Sequence, residues 1–320
     1  MEHIFLNNVT EGTKFDGFYI VKSIAVKESS NGSSYLDLTV SDNSGTMDGK
    51  FWNLTRDMIE AWKDIEPGVI CKIRGRIEKY KDERQIRIEK FRLDNKSDEG
   101  EYDLADLVKK APVESEKMFA YIENCINKME NEDIQKVCRK VLSDNRQKLE
   151  YYPAAMRIHH AEYGGLLYHM SRMLMMADAI SRIYKQLDRD LMFGGVILHD
   201  IKKLDAMDSS EFGIVSGYTS EGQLLGHITL GTEYVNDVCR QLGINDETRQ
   251  MLVHIVASHH GQKEYGSPVC PMFPEAEIVS YIDEIDTNLD IMDRVLTGLA
   301  PGAFSEPVWE LDKRRVYKRL

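Results

Sequence analysis

Of the nine histidines in this 320-residue chain, only His3 lies outside the stretch from His159 to Asp283. The order is His159-His160, His169 in GGLLYHMSRM, His199-Asp200 in GGVILHDIKK, His227 in LLGHI, then His254, His259 and His260 in LVHIVASHHG, and Asp283 in YIDEID. Imidazole mixed with carboxylate suits Mn, Fe, Ni or Zn and argues against a purely oxygen-ligated Mg or Ca site. At three places these residues sit among apolar neighbours. His199-Asp200 closes the run FGGVIL, Asp283 follows IVSYI, and His169 lies four residues before Met173 and just after Leu166 and Leu167. A carboxylate buried in such a run costs several kcal/mol unless it is paired or metal-bound. One metal accounts for all three positions more economically than three separate hydrogen-bond networks.

The other histidines are candidates for a second ion, for a substrate phosphate, or for orienting ligands. If 246–259 is one helix, His259 shares the face of Leu252, Ile255 and Val256, while His254, five positions away, lies about 140° around it. His227 and His259 are therefore the favoured extra ligands, with His260 as the alternative. His159 and His160 precede the first candidate ligand closely; a substrate-contacting role, a ligand-orienting role and a polar helix N-terminus fit them equally. Lys203, three residues after Asp200, offers a cation for a phosphate, although Lys202 beside it leaves open which lysine faces the site. GxxxxGK[ST] and GxGxxG are absent from the sequence, so ATP hydrolysis and dinucleotide redox chemistry fit poorly.

Positioning these groups falls to two kinds of structure. From Leu104 onward the pattern is helical, with apolar residues at three- and four-residue spacing. Helices are expected over VESEKMFAYIENCINKM and NEDIQKVCRKVLSDNRQKL, then near 165–184, up to LMFGGVILHD, from Glu221, over 246–259 and over 275–297. Residues 13–93 read instead as three strands, a short helix at LTRDMIEAWKDI and two more strands, with turns at Asn31-Gly32 and at Lys81-Asp82-Glu83. That is the order of an OB-fold barrel. The expected architecture is thus an N-terminal all-β OB-fold barrel over 1–94, an acidic linker and connecting helices over 95–149, an all-α domain over 150–300 and a tail over 301–320.

The last two barrel strands carry nine Lys and Arg against four Asp and Glu, inside a chain of net charge −12. Lys72, Arg74 and Arg76 alternate along one strand and should share a face, with Phe51, Trp52 and Tyr80 as stacking platforms nearby. Cations interspersed with aromatics suit single-stranded nucleic acid; a solvated barrel wall is the plainer alternative. The overall acidity argues against a protein that coats nucleic acid with its whole surface, but leaves room for a local basic groove. Five widely spaced cysteines without a CxxC, an N-terminus without an apolar core and the lack of any long apolar run predict reduced thiols, no membrane partner and a cytoplasmic location.

A His-Asp pair set between a distant His and a distant Asp resembles the HD superfamily of metal-dependent phosphohydrolases. That resemblance implies that His169, His199, Asp200 and Asp283 bind one metal. The HDxxK spacing is kept, with Lys202 where glycine usually stands in HDIGK. Some HD subfamilies hold a second ion through extra histidines, with the Asp of the pair as bridge. Taken together, an OB-like domain, HHAEYGGLLYH, LHDIKK, EGQLLGHI, HIVASHHG, EYGSPVCPMFPEAEIVSYIDEID and a basic-aromatic tail resemble the YhaM family of 3′→5′ exoribonucleases over nearly the whole chain. What this implies is a metal-dependent exonuclease on single-stranded RNA or DNA, with Mn as the expected cofactor and Fe, Ni, Zn or Mg as substitutes. It also implies Asp200 as bridging ligand and Lys203 as electrostatic stabiliser. Expected substrate contacts are His160, His260, Lys72, Arg74, Arg76 and Trp52. A nucleotide or cyclic-dinucleotide phosphohydrolase is the rival enzyme, although GQKEYGSP follows His260 where such enzymes carry a GYP-type segment. A non-catalytic nucleic-acid-binding regulator is the rival of another class. Homo-oligomerisation stays open.

Overall fold

The structure is a computed structural model that describes residues 3–29, 32–81, 83–156 and 160–320. The expected turn residues Asn31 and Asp82, and His159, lie outside the described residues. The chain divides into two compact units, Met1–Lys110 with Ser209–Ser216, and Ala111–Asp208 with Gly217–Leu320.

The first unit is a closed barrel. Its strands are β1 (Lys14–Glu28), β2 (Ser34–Asp42) and β3 (Gly45–Trp52), then, after the short helix α1 (Arg56–Trp62), β4 (Ile70–Tyr80) and β5 (Glu83–Leu93). They pair in the order β1-β2-β3-β5-β4, and β4 closes on β1. All pairings are antiparallel except β3 with β5, where Gly49 and Lys50 lie beside Ile86 and Arg87. Strand alternation decides what fills the interior. Cys71, Ile73 and Ile77 point inward with Leu36, Leu38, Val40, Ile86, Ile88 and Phe91, which leaves Lys72, Arg74 and Arg76 on the outer wall. The polar stretch after β5 remains with this unit rather than forming a free linker. Arg92 holds Asp98 at 2.6 Å, Lys72 holds Glu101 at 2.6 Å, and Asn43 N–H donates to the carbonyl of Asp106 in α2 (Leu104–Leu107).

The second unit is mainly helical: α3 (Ser115–Asn127), α4 (Glu132–Leu149), α5 (Gly165–Ile183), α6 (Arg189–Leu198), the single turn α7 (Lys203–Ala206), α8 (Ser220–Gln241), α9 (Asp246–Ser258) and α10 (Pro274–Thr297). Side-chain caps start several of them: Asn131, Asp188, Thr219 and Asn245 accept from backbone N–H groups one turn on, and Pro274 opens α10. Each cap satisfies donors that a helix start otherwise leaves unpaired. Helix α6 is buried from Asp190 to Leu198. Its glycines permit this: a Cβ on Gly195 would stand 2.7 Å from Ile255 Cγ2 of α9, and one on Gly194 2.8 Å from Ile134 Cγ2 of α4. Close packing of α6 is what carries His199 and Asp200 to the centre.

One element departs from an all-helical second half. Strands β6 (Met207–Ser209) and β7 (Val215–Tyr218) form a two-stranded sheet. MDSSEFGIVSGY carries two glycines and a polar DSSE start, a poor helix sequence, and Gly213, at φ 70°, makes the turn between the strands. Among the described residues no helix is long and apolar enough to cross a membrane, and all five cysteines are free thiols.

Candidate metal centre

Five segments of the helical unit bring the expected residues together. His169 comes from the first turns of α5, His199 and Asp200 from the end of α6, His227 from α8, His259 and His260 from the end of α9, and Asp283 from the middle of α10. Helix α8 reaches the site by a kink. Gly226 takes φ 72° and ψ 155°, a backbone conformation that glycine adopts without steric cost, and the next side chain is His227.

Asp200 is the hub and is almost wholly buried. Its Oδ2 lies 3.3 Å from His199 Nε2 and 2.6 Å from Lys203 Nζ; its Oδ1 lies 3.3 Å from His227 Nε2 and 3.6 Å from His259 Nε2. On the first side, His169 Nε2 is 3.2 Å from Asp283 Oδ1. Neighbouring imidazole rings run as an arc from His169 through His199 and His259 to His260, with centroids 5.5, 5.1 and 4.3 Å apart. Two groups of candidate ligand atoms therefore share Asp200: one with His169 and His199, one with His227, His259 and His260.

The outer nitrogens decide which way each ring faces. Nδ1 of His199 lies 2.8 Å from the carbonyl of Val196, Nδ1 of His259 2.8 Å from that of Val256, and Nδ1 of His260 2.8 Å from that of Tyr265. Nδ1 of His169 lies 2.8 Å from Asp286 Oδ2. An acceptor at Nδ1 keeps the proton there, so the Nε2 lone pair is the one presented inward, as metal-ligating histidines require. Among the described residues, Nε2 of His199, His227 and His259 and Oδ1 of Asp200 are buried and make no hydrogen bond. Buried polar atoms are nearly always satisfied. Four that converge without bonding one another fit a shared cation, and the imidazole-carboxylate donor set fits a divalent transition metal.

Charge balance supports the same arrangement. Burial pushes the Asp200 carboxyl up, but Lys203 and His199 hold it well below the usual carboxylate range. Burial likewise raises Asp283, and His169 and His199 more than offset it. Burial drives His227 well below its ordinary value against the opposing pull of Asp200, so it is a neutral donor. His169 differs: burial lowers it, but Asp283 and Asp286 together raise it to about 9. In the metal-free chain at neutral pH both its nitrogens therefore hold protons, and a metal must displace the one on Nε2 to reach that lone pair. Metal affinity is expected to rise roughly tenfold per pH unit from pH 7 until it levels near that value, with about one proton released per first-site ion. Calorimetric titrations in buffers of different ionisation enthalpy test this; a binding heat independent of buffer would contradict it.

Several expected residues have other neighbours. His160, expected beside substrate, is buried, with Nε2 2.8 Å from Asp286 Oδ2 and its backbone N–H donating to Asp290. Lys203 faces the site, whereas Lys202 pairs with Asp205 and lies over Tyr234. Nε2 of His254 accepts from the backbone of Met272, outside both groups. In the barrel, Lys72, Arg74 and Arg76 do share the outer wall, but pair with Glu101, Asp16 and Glu78. Trp52 is 43% exposed and stacked on Tyr35, with centroids 4.6 Å apart, and Phe51 packs edge-on against Trp62. Two residues absent from the expected set lie against it. Asp286, fully buried, accepts from His160, His169 and, at 2.7 Å, Arg172 Nε. Asp283 and Asp286 stand three apart, on one side of the helix, a spacing that the other acids of α10 keep from standing out.

Comparison with known proteins adds the following. Residues 166–288 match the model of the HD domain, and residues 20–94 match that of the OB-fold nucleic acid binding domain. Among solved structures, the second OB-fold domain of replication protein A from Methanococcus maripaludis aligns at 14% identity over 28% of this chain and 92% of that one, with a TM-score of 0.23. A crystal structure of a replication protein A domain from the same organism aligns at 17% identity over 29% and 97%, with a TM-score of 0.24. The asparaginyl-tRNA synthetase from Pyrococcus horikoshii aligns at 14% over 50% of this chain and 37% of its own, with a TM-score of 0.25. By its domains, this chain is a multidomain protein that joins an OB-fold nucleic acid binding domain to an HD domain, the domain of metal-dependent phosphohydrolases.

Proposed function

We propose that the protein is a divalent-metal-dependent phosphodiesterase that removes nucleotides from the 3′ end of single-stranded RNA or DNA. The observation that carries the phosphodiesterase reading is the division of Asp200, whose two oxygens face two separate sets of histidines. In this reading His169, His199, Asp200 and Asp283 hold one ion, and Asp200, His227 and His259, with His260 alongside, hold another. Such ions, when bound, activate a water for attack and neutralise charge that develops on phosphoryl oxygens. The chain's own part is to fix that geometry. Carbonyls and Asp286 lock the imidazoles in place, the buried α6 keeps Asp200 rigid, and Lys203 supplies a compact positive charge beside it. Exonucleolytic action and its 3′→5′ direction follow from the likeness to the YhaM family, as does Mn as the preferred ion. The barrel supplies single-strand affinity.

A 5′-labelled single strand incubated with the protein and Mn is expected to give a ladder of products shortening from the 3′ end. A stable complex without products would favour the binding regulator. Turnover of cyclic dinucleotides in preference to strands would favour the rival phosphohydrolase. Mn-soaked crystals are expected to show two anomalous peaks about 3.5–4 Å apart; a single peak at saturating Mn would reduce the centre to one ion.

A further inference from the structure

Residues 313–319, KRRVYKR, hold five Lys and Arg and no Asp or Glu, in a chain of net charge −12. The barrel wall answers Lys72, Arg74, Arg76 and Arg92 with carboxylates. By contrast, Lys313, Arg314, Arg315, Lys318 and Arg319 make no ion pair among the described residues. The segment is not loose. Asp312 and Lys313, at φ 52° and 60°, turn the chain back on itself. Backbone bonds Val308 N–H to Arg314 O (3.0 Å), Ser305 N–H to Val316 O (2.8 Å) and Lys318 N–H to Ala303 O (2.9 Å) close it into a hook. Val308, Leu311 and Val316 are buried against Ile291, Met292, Val295 and Leu296 of α10.

With its apolar side used in this way, the hook turns its aromatic rings outward. Trp309 is 75%, Phe304 58% and Tyr317 44% exposed. Phe304 and Tyr317 lie with centroids 4.9 Å apart, Lys313 Nζ sits 4.2 Å from the Trp309 ring centre, and Arg315 lies over Phe304. Arg314, Arg315 and Lys318 donate to the carbonyls of Leu311, Ser305 and Leu299, which leaves their charge unmatched by any carboxylate among the described residues. Exposed rings flanked by such cations match a polymer that alternates flat bases with phosphates. A second copy of this chain fits worse, because a symmetric contact would place like-charged patches face to face.

We infer that this hook is a second binding surface for single-stranded nucleic acid, with bases stacking on Trp309 and on the Phe304–Tyr317 pair and phosphates meeting the five cations. Asp283 and Leu296 share α10, roughly 20 Å apart along its axis, so one strand can engage both the hook and the metal centre. The inference extends the proposed function, but its test does not depend on hydrolysis.

Binding of 5′-fluorescein oligouridylate and oligodeoxythymidylate to the full chain is measured by anisotropy in EDTA, over a range of salt. Trp309→Ala is expected to weaken binding about tenfold. Lys313→Glu with Arg319→Glu is expected to weaken it and to flatten the log-log salt dependence by about 1.4, since each single-strand phosphate contact contributes about 0.7. Both variants should keep their melting temperature, because the altered side chains are exposed, and should hydrolyse bis(p-nitrophenyl) phosphate with Mn as the unaltered protein does. Unchanged affinity and salt slope in both variants overturn the inference. So does unchanged affinity with a lower mass by light scattering, which assigns the surface to a second copy. Because binding is read without metal, a failed catalytic reading leaves this result standing.

Discussion

Asp200→Ala is expected to lower phosphodiester hydrolysis by at least about a thousandfold on every substrate, because the metals it would hold are worth several kcal/mol of transition-state stabilisation. The reason is positional. Both candidate ligand groups use this one carboxylate, so its loss opens both at once. Single-strand binding measured in EDTA should survive, because the barrel and the hook do not include it. Metal content by mass spectrometry should fall with activity. Hydrolysis near the unaltered rate, with metal retained, would remove Asp200 from the centre and the two-ion reading with it.

Asp286→Ala is expected to act by a different route. Its carboxylate lies outside the two ligand groups that share Asp200, yet it accepts from His169, His160 and Arg172 while fully buried. Burial raises its carboxyl, and His160 and His169 bring it well below the usual range. Removing it frees the His169 ring to turn and leaves buried donors unanswered. Metal affinity should fall about 10–100-fold, the usual effect of losing a residue that orients a ligand. The metal-free chain should lose about 3 kcal/mol, as when one partner of a buried ion pair is deleted. Asp286→Asn, which keeps one acceptor, should recover part of both. Urea titrations and metal titrations read the two effects separately. Unaltered metal affinity in Asp286→Ala would show that His169 is held by its packing alone.

The contrast between these two aspartates marks where reading the sequence stops. Asp200 stood out because it interrupts an apolar run, and a buried carboxylate demands an explanation wherever it occurs. Asp286 sits among Glu284, Asp290 and Asp293 on a helix with many acids, and nothing local separates it from a solvated face. Only the approach of His160, more than a hundred residues earlier, does so. Arrangement also resolved the lysines: spacing offered Lys202 and Lys203 alike, and the turn of α7 sends one to Asp205 and the other to Asp200. The barrel was legible as strands, turns and alternation, because those are properties of neighbouring residues. Its charge was not. Counting along β4 and β5 found an excess of cations, but Asp16, Asp98 and Glu101, which pair with them, come from outside those strands.

The composition of the first compact unit has a further consequence. Ser209–Ser216, which holds the loop of the β6–β7 hairpin, belongs to the same unit as Met1–Lys110, and Ser210 lies where a Cβ on Gly68 would meet it at 3.2 Å. The barrel is therefore not a contiguous cassette. A lineage that acquired or exchanged it by joining gene segments at one boundary would leave this piece of its surface behind in the partner's sequence. Chimaeras that transplant residues 1–110 alone should therefore carry a mismatched patch around Gly68, while those that move the hairpin loop along with them keep it whole.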